Sequence, residues 1–285
     1  MRNLLSTVAK VLDHDVPVLI LGESGAGKDY LAEAIHACST RRSGPFTRID
    51  CATIPPDLFE SELFGYEKGT FTDAQARKLG KLEVARGGSV YFDSISALTP
   101  PVQAKLLRAV QDRTFTRLGG HQTIAFDARI ISSAEPDLAA GTDFRRDLYY
   151  RINLVTVSIP PLRARPEDIP ALATQFAAKR KKLDKRALEL LTAHAWRGNI
   201  RELRNVIDRA VLTAEGDTIR ADDLALSAGD LVTIASHSQW TLEQLEESYI
   251  REVLRETRAN YSRAAEILGI NRKTLLEKRR KYGIE

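Results

Sequence analysis

The segment GESGAGKD has the residue types and the spacing of a phosphate-binding loop. It follows the apolar run VLIL and opens a helical pattern through Leu31 and Ile35. Glycines let backbone N–H groups close around phosphate oxygens, the helix N-terminus favours negative charge, and Lys28 can reach the β- and γ-phosphates. The alternative, a glycine-rich turn with an unrelated lysine, is disfavoured by the strand-to-helix context. The predicted nucleotide-binding residues are Gly22, Glu23, Ser24, Gly25, Ala26, Gly27, Lys28 and Asp29.

A second segment, GGSVYFDSIS, climbs through an apolar strand to Asp93 and continues with Ser94. An acid at such a strand end holds magnesium in many nucleotide hydrolases. Since Asp29 stands where a magnesium-binding Ser or Thr usually follows the lysine, Mg²⁺ binding is expected to depend more on Asp93. A serine cannot accept a proton from the attacking water at neutral pH, and losing such a base costs about 10²–10⁴ in rate. The sequence leaves open whether the nucleotide is hydrolysed or only bound.

The elements that position these residues follow an α/β pattern. Short apolar runs in VLIL, FTRID, VYFD, ARIISS and LVTVSI alternate with helical patterns, which predicts a parallel sheet flanked by helices over residues 1–163. An all-α lid is expected over 164–215 and a linker over 216–240. A final helical unit over 241–285 begins with the capping box TLEQ, after which Leu242, Leu245, Tyr249 and Val253 recur at helical spacing.

Composition and apolar patterning argue against a cysteine metal site, a membrane span and a secreted protein. The chain has 285 residues and a net charge of +4, an excess too small to identify a partner. Cys38 and Cys51 match no metal-ligand spacing and are interpreted as small buried or half-buried thiols. The longest apolar run, VPVLILG, is too short to cross a membrane, and the N-terminus lacks a secretory pattern. We expect a cytoplasmic protein with no membrane partner.

The C-terminal segment NYSRAAEILGINRKTLLEKRRKYGI predicts two short helices around a turn at Gly269 and Ile270. Ala264, Ala265, Ile267 and Leu268 are expected to pack the first helix, Asn271 to cap the second, and Leu275 and Leu276 to anchor it. Basic residues concentrate on and after the second helix, where a solvated basic helix is the alternative to a DNA reader. The candidate DNA-binding residues are Asn271, Arg272, Lys273, Thr274, Lys278, Arg279 and Arg280.

Several long motifs together carry a family resemblance: GESGAGKD, ESELFGYEKGTFTDA, FRRDLYYRIN, PPLRARPEDI and WRGNIRELRNVIDRA. Over residues 1–215 they resemble the AAA+ domain of bacterial enhancer-binding proteins, the sigma-54-dependent transcription activators, and the C-terminal unit resembles their Fis-type helix-turn-helix. The resemblance implies ATP and Mg²⁺ as cofactors, double-stranded DNA with a two-fold operator and sigma-54 RNA polymerase as partners, and assembly as dimers and a ring-shaped hexamer. The helix over 241–257 is expected to pair two DNA-binding units.

The same resemblance assigns roles to further residues. Arg145 and Arg151 match arginine fingers donated to a neighbouring subunit, and Arg201 matches the lid arginine that reports nucleotide state. Asp50 stands where the family commonly has an asparagine, and Glu135 occupies the sensor I position. Thr70 and Asp73 replace the usual Ala and Gly of the loop that contacts sigma-54. That loop comprises Gly69, Thr70, Phe71, Thr72, Asp73 and Ala74.

Two functions from different classes remain open at this point. In one, ATP hydrolysis in a ring remodels sigma-54 polymerase, with Asp93, Arg145 and Arg151 as catalytic residues and with Asp50 or Glu135 positioning the water that Ser94 cannot. In the other, those positions changed together because hydrolysis was no longer required, and the protein is an ATP-binding, DNA-bound regulator. A helicase loader or another AAA+ machine is disfavoured by the C-terminal unit. Since no sensory domain precedes the ATP-binding unit in this sequence, control is expected from a partner, from assembly or from a separate domain.

Overall fold

The computed structural model describes residues 2–72, 74–138, 143–177, 181–224, 226, 241–257 and 260–284. The chain divides into two compact units, Met1–Pro161 and Leu162–Glu285. Within the described residues, no helix has the length and apolar character needed to cross a bilayer.

The first unit alternates strands and helices along the chain. Its elements are α1 (Arg2–Val11), β1 (Val18–Leu21), α2 (Lys28–Ala37), β2 (Phe46–Asp50), α3 (Pro56–Phe64), β3 (Gly65–Tyr66), β4 (Lys78–Leu79), α4 (Lys81–Val84), β5 (Ser89–Asp93), α5 (Pro100–Asp112), β6 (Thr114–Phe115), β7 (Ile124–Ala125), β8 (Arg129–Ala134), α6 (Arg146–Ile152) and β9 (Val155–Ser158).

Five of these strands form one parallel sheet in the order β2-β5-β8-β1-β9. Both of its faces are buried, as neighbouring residues of β5 show: Val90 and Phe92 pack into one apolar cluster, and Tyr91 packs into another on the opposite face. The expected α/β fold class is confirmed, and the five predicted strands are the five strands of the sheet.

A close backbone contact fixes β2 against β5 at the start of both strands. A side chain at Gly44 would collide with the Gly87 carbonyl, and one at Gly88 would collide with Pro45. From this contact the two strands run in register to their carboxyl ends, where Asp50 and Asp93 are paired residues. Chemistry at these strand ends is therefore positioned by backbone packing.

The second unit contains a lid and a C-terminal helical group. The lid elements are α7 (Ile169–Ala177), β10 (Lys182–Leu183), α8 (Lys185–Ala193), α9 (Asn199–Thr213) and β11 (Thr218–Ile219). They surround the fully buried Trp196, whose indole N–H donates to the Leu191 carbonyl at 2.7 Å. The sequence did not indicate the parallel pair β10–β11, because two residues are too few to show a strand pattern.

The ordered lid extends past residue 215, where the sequence placed the start of a linker. Ile219 and Leu224 are buried in the lid core, and a 3₁₀ turn spans Ala221–Asp223. The charged segment between these two apolar residues interrupts the helical pattern, so periodicity did not detect them. Residues 227–240 of the predicted linker lie outside the described residues.

The C-terminal group comprises α10 (Leu242–Glu256), α11 (Tyr261–Ile267) and α12 (Arg272–Lys281). The predicted capping box is confirmed by two hydrogen bonds. The backbone N–H of Gln244 donates to Thr241 Oγ1 at 3.3 Å, and the backbone N–H of Thr241 donates to Gln244 Oε1 at 2.8 Å. The buried face of α10 is formed by Ile250, Val253 and Leu254.

Two side chains are more exposed than the sequence indicated, Ile267 of α11 and the Cys38 thiol. On α10, Leu242 and Tyr249 of the apolar stripe are exposed as well. Helical spacing identifies an apolar stripe but does not say which of its edges meets a neighbour. By contrast, Ala264, Ala265 and Leu275 are buried as expected, and Leu268 packs partly buried against the same cluster.

Candidate nucleotide-binding site

The predicted phosphate-binding loop links β1 to α2. The Gly22 amide donates to the carbonyl of Ala134 at the end of β8 (3.2 Å), and Gly25 and Gly27 adopt positive φ angles of 74° and 101°. Lys28 begins α2, and its Nζ donates to the carbonyls of Gly22 (2.7 Å) and Glu23 (3.1 Å). This places a cation and a helix N-terminus at one curved backbone segment, which is suited to an anionic phosphate chain.

Beside this loop, the guanidinium of Arg48 lies between two carboxylates. Its Nη2 is 2.7 Å from Asp29 Oδ2 and 2.6 Å from Asp93 Oδ2. The Tyr91 hydroxyl donates to Asp29 Oδ1 at 2.9 Å and lies 3.3 Å from Asp93 Oδ1. The hydroxyl of Ser133 donates to the same Asp93 oxygen at 2.8 Å. We call Asp29, Arg48, Tyr91, Asp93 and Ser133 the carboxylate–guanidinium cluster.

The charge states in this cluster follow from its contacts. Partial burial opposes the charge of Arg48, but Asp29 and Asp93 outweigh it and raise the pKa of the guanidinium. Burial, with a smaller effect of the two carboxylates, raises the pKa of Tyr91 well above its usual value. Tyr91 is therefore a neutral hydrogen-bond donor and Arg48 a fixed cation.

Sequence reasoning found Asp29 and Asp93 but missed Arg48, Tyr91 and Ser133. These three come from three different strands and meet only because β2, β5 and β8 are adjacent and in register. The available signals were Arg48, which lies between Thr47 and Ile49 in the strand FTRID, and the phenol of Tyr91 in the apolar strand VYFD.

The cluster does not fit the Mg²⁺ ion that the sequence assigned to Asp93. Magnesium requires oxygen ligands at about 2.0–2.1 Å in near-octahedral geometry. Here each oxygen of Asp29 and Asp93 already accepts a hydrogen bond or ion pair from Arg48, Tyr91 or Ser133.

The three positions linked to hydrolysis lie at the same edge of the sheet. Ser94 follows Asp93 in a left-handed conformation (φ 55°), and its amide donates to the Ser133 hydroxyl at 3.0 Å. Asp50 is the in-register partner of Asp93, and its Oδ1 accepts the Ala52 amide at 3.1 Å. Glu135 is exposed and directly follows Ala134, whose carbonyl accepts the hydrogen bond from the Gly22 amide of the phosphate-binding loop. Two carboxylates thus lie near the strand ends, while position 94 itself offers none.

The predicted arginine fingers flank α6. Arg145 precedes the helix, is half exposed and forms a 2.8 Å ion pair with Asp147. Arg151, in the last turn, is exposed. Arg201 lies in the second unit, in the first turn of α9. Arg145 and Arg151 are thus exposed to solvent at the start and in the last turn of one short helix, as contact with a second subunit would require.

The predicted sigma-54 loop is closed at its base and exposes an aromatic ring. The Gly69 amide donates to the Ala74 carbonyl at 2.8 Å, and Gly69 has a φ of 84°. Phe71 is 45% exposed and packs edge-on against Tyr66, with ring centroids 4.8 Å apart. Asp73, which the sequence assigned to this loop, lies outside the described residues.

A second segment, Arg117 and Leu118 after β6, contacts the base of this loop and was not identified from the sequence. The Thr70 hydroxyl contacts the carbonyls of Glu67 (2.6 Å) and Leu118 (3.0 Å). The buried Arg117 side chain pairs with Glu67 at 2.6 Å and with Glu83 at 2.7 Å. Thr70, which departs from the usual Ala, therefore attaches the loop to the turn that follows β6.

In the C-terminal group, the predicted DNA-binding residues divide into two sets. Asn271 caps α12 by accepting the Thr274 amide at 2.8 Å, as expected. Lys278 pairs with Glu246 at 2.6 Å, and the Arg279 guanidinium lies over the Tyr261 ring at 5.2 Å. A second set is exposed and available for external contacts: Arg272, Lys273 and Arg280.

A parallel sheet with a glycine-rich loop and Lys28 at its carboxyl edge, followed by a helical lid and a helix-turn-helix group, defines the P-loop nucleotide-binding class of protein. Comparison with known proteins agrees. Residues 1–158 match the family described as Sigma-54 interaction domain, residues 163–231 the AAA+ ATPase lid domain, and residues 241–282 the Bacterial regulatory protein, Fis family. The chain belongs to the sigma-54 interaction domain family, and in it this domain is followed by the lid and the Fis-family domain.

The chain is similar in sequence to two bacterial regulatory proteins and in structure to a third protein that has been crystallised. The chain is 43% identical over 307 residues to the regulatory protein AtoC of Escherichia coli strain K12 and 43% identical over 291 residues to the transcriptional regulatory protein ZraR of Salmonella typhimurium strain LT2. These alignments cover 100% and 98% of the chain, which spans 66% of the length of each relative. The crystal structure of NtrX from Brucella abortus in complex with ATP aligns with a TM-score of 0.72 and 35% identity, covering 100% of this chain and 68% of NtrX.

Proposed function

We propose that the chain is a cytoplasmic transcription regulator that binds ATP at Gly22–Asp29, binds DNA through α12 and acts on sigma-54 RNA polymerase through the Phe71 loop. The observation that carries ATP binding is the loop geometry, with Lys28 across the Gly22 and Glu23 carbonyls and the α2 N-terminus behind it. The ATP bound in the similar NtrX structure supports the same assignment.

Assembly and DNA binding complete the proposal. Arg145 and Arg151 act as arginine fingers toward the ATP of a neighbouring subunit in a ring, where a planar, permanent positive charge stabilises the γ-phosphate in transfer. Leu242 and Tyr249, exposed on α10, are suited to the contact that pairs two DNA-binding groups on a two-fold operator. The exposed Arg272, Lys273 and Arg280 contact the duplex.

A second candidate function, ATP binding without turnover, is favoured by one observation: the residue after Asp93 is Ser94, which carries no carboxylate. If hydrolysis persists, Asp50 or Glu135 must position the water. Asp50→Asn and Glu135→Gln, singly and together, would then lower turnover by about 10²–10⁴.

Phosphate release by the purified chain across a protein concentration series tests the two candidates, with Lys28→Ala as the control for contaminating ATPase. Cooperative turnover that vanishes in Lys28→Ala supports the ring-forming activator. Absence of turnover with intact ATP binding supports the regulator that only binds. Phe71→Ala, compared with Leu58→Ala at another exposed apolar side chain, tests contact with sigma-54 in a binding assay.

A further inference from the structure

We propose that the Arg48 guanidinium takes the place of magnesium in this site, so that the chain binds ATP without a divalent cation. The inference rests on the proposed ATP binding and goes beyond it by naming the charge that accompanies the nucleotide. Its starting point is the carboxylate–guanidinium cluster, in which one Arg48 nitrogen contacts both Asp29 and Asp93.

The first argument is position. Asp29 directly follows Lys28 in the first turn of α2, and Asp93 ends β5, so the two carboxylates border the place where the outer phosphates of a bound nucleotide would lie. Arg48 reaches that place from β2 and is 42% exposed, so a ligand can contact it.

The second argument is charge. Two carboxylates beside a triphosphate would repel it unless a cation lay between them. A guanidinium is always charged, offers five N–H donors and binds carboxylate and phosphate oxygens in its plane. Among the described residues, both ion pairs of Arg48 use Nη2, which leaves Nε and Nη1 for phosphate oxygens.

The third argument is the position of Arg48 Nη2 between the two carboxylates. That nitrogen contacts Oδ2 of both Asp29 and Asp93, while Tyr91 and Ser133 donate to their other oxygens. Tyr91 is fully buried and is the in-register partner of Arg48 on the neighbouring strand β5. The hydroxyl that contacts the two carboxylates is therefore fixed by the core of the sheet. A magnesium ion bound directly between Asp29 and Asp93 would have to displace the guanidinium of Arg48.

The test is the dissociation constant of a fluorescent ATP analogue for the full chain, measured with excess Mg²⁺ and again with excess EDTA. We expect the wild type to differ by less than about twofold between the two conditions. Arg48→Gln, which frees both carboxylates for a metal, should bind about tenfold or more weakly in EDTA and regain affinity in Mg²⁺. Arg108→Gln, an exposed arginine on α5, is the matched control and should behave as wild type.

Three results would overturn the inference. One is a wild-type loss of about tenfold or more on chelation, which would show ordinary magnesium dependence. Another is Arg48→Gln binding as tightly as wild type in EDTA, with a wild-type melting profile as evidence of folding. The third is that the wild type binds the ATP analogue neither in Mg²⁺ nor in EDTA, which refutes ATP binding itself. The first two results leave ATP binding standing, so failure of this inference can be told apart from failure of the proposed function. Lys28→Ala confirms that the analogue reports on this site.

Discussion

Arg117 offers the sharpest test of how the Phe71 loop is supported. Its side chain is only 5% exposed and pairs through Nη1 with Glu67 and through Nη2 and Nε with Glu83. Arg117→Met keeps most of the side-chain length but removes the charge, which leaves two carboxylates facing each other across an apolar side chain. The substitution therefore removes the bond between the loop base, α4 and the turn after β6.

The expected cost follows from burial. Removing one partner of a fully buried ion pair costs about 3–5 kcal/mol. Glu67 and Glu83 retain 34% and 21% exposure, so water compensates part of the loss, and we expect about 2–3 kcal/mol. For a unit of this size, that corresponds to a decrease of about 4–12 °C in the melting temperature of the first unit.

Calorimetry on the full chain measures the shift, and hydrogen exchange followed by mass spectrometry locates it. Exchange should accelerate in residues 65–72 and 114–120 more than in β1. Arg86→Met, at an exposed arginine of the same unit, is the control, with an effect within about 0.5 kcal/mol of zero. Removing both carboxylates as well, by Glu67→Gln and Glu83→Gln, should restore much of the stability. A melting temperature equal to that of the control would refute the reasoning.

Three further predictions concern the strand ends and the C-terminal group. Ser94→Glu combined with Arg48→Ala should raise phosphate release by about 10²–10⁴ over Arg48→Ala alone, and an unchanged rate would exclude position 94 as the missing base. Asn271→Ala removes the α12 cap and should destabilise the C-terminal group by about 1 kcal/mol, seen as faster hydrogen exchange in α12 and weaker DNA binding. Lys278 and then Tyr282 hold the pKa of Glu246 below its usual value, so the stabilisation is complete above the unfolded pKa and is lost as pH falls through the lower folded pKa. Glu246→Gln should abolish that acid-dependent loss, measured by exchange corrected for its intrinsic pH dependence, and an unaltered pH profile would contradict the assignment.

The contrast between Lys28 and Arg48 shows what a sequence can predict here. Lys28 and its glycines are consecutive, so local spacing alone identifies the loop and the helix it opens. The cluster around Arg48 is assembled from residues 29, 48, 91, 93 and 133, which only the order and register of three strands bring together. Side-chain partnership across a sheet has no counterpart in linear spacing.

The helical elements show a related limit. Capping residues act on their own neighbours, so Thr241 and Asn271 were identified from the sequence and the structure confirms both caps. Burial depends on partners distant in the chain, and the exposure of Ile267 was therefore missed. Ile219, which belongs to the lid core beyond the predicted boundary of the lid, was missed because its strand is two residues long.

The glycine contact at the start of β2 and β5 has a consequence for how this site can change. Since Gly44 and Gly88 bring two backbones together with no side chain between them, the spacing of the strand ends is insensitive to which side chains those ends carry. The exposed or half-buried residues at positions 48, 50 and 93 can be exchanged while the scaffold beneath them, which includes the buried Tyr91, keeps its geometry. A metal-dependent and a metal-free nucleotide site could therefore differ by a few side chains at these strand ends, with the backbone of β2 and β5 unchanged.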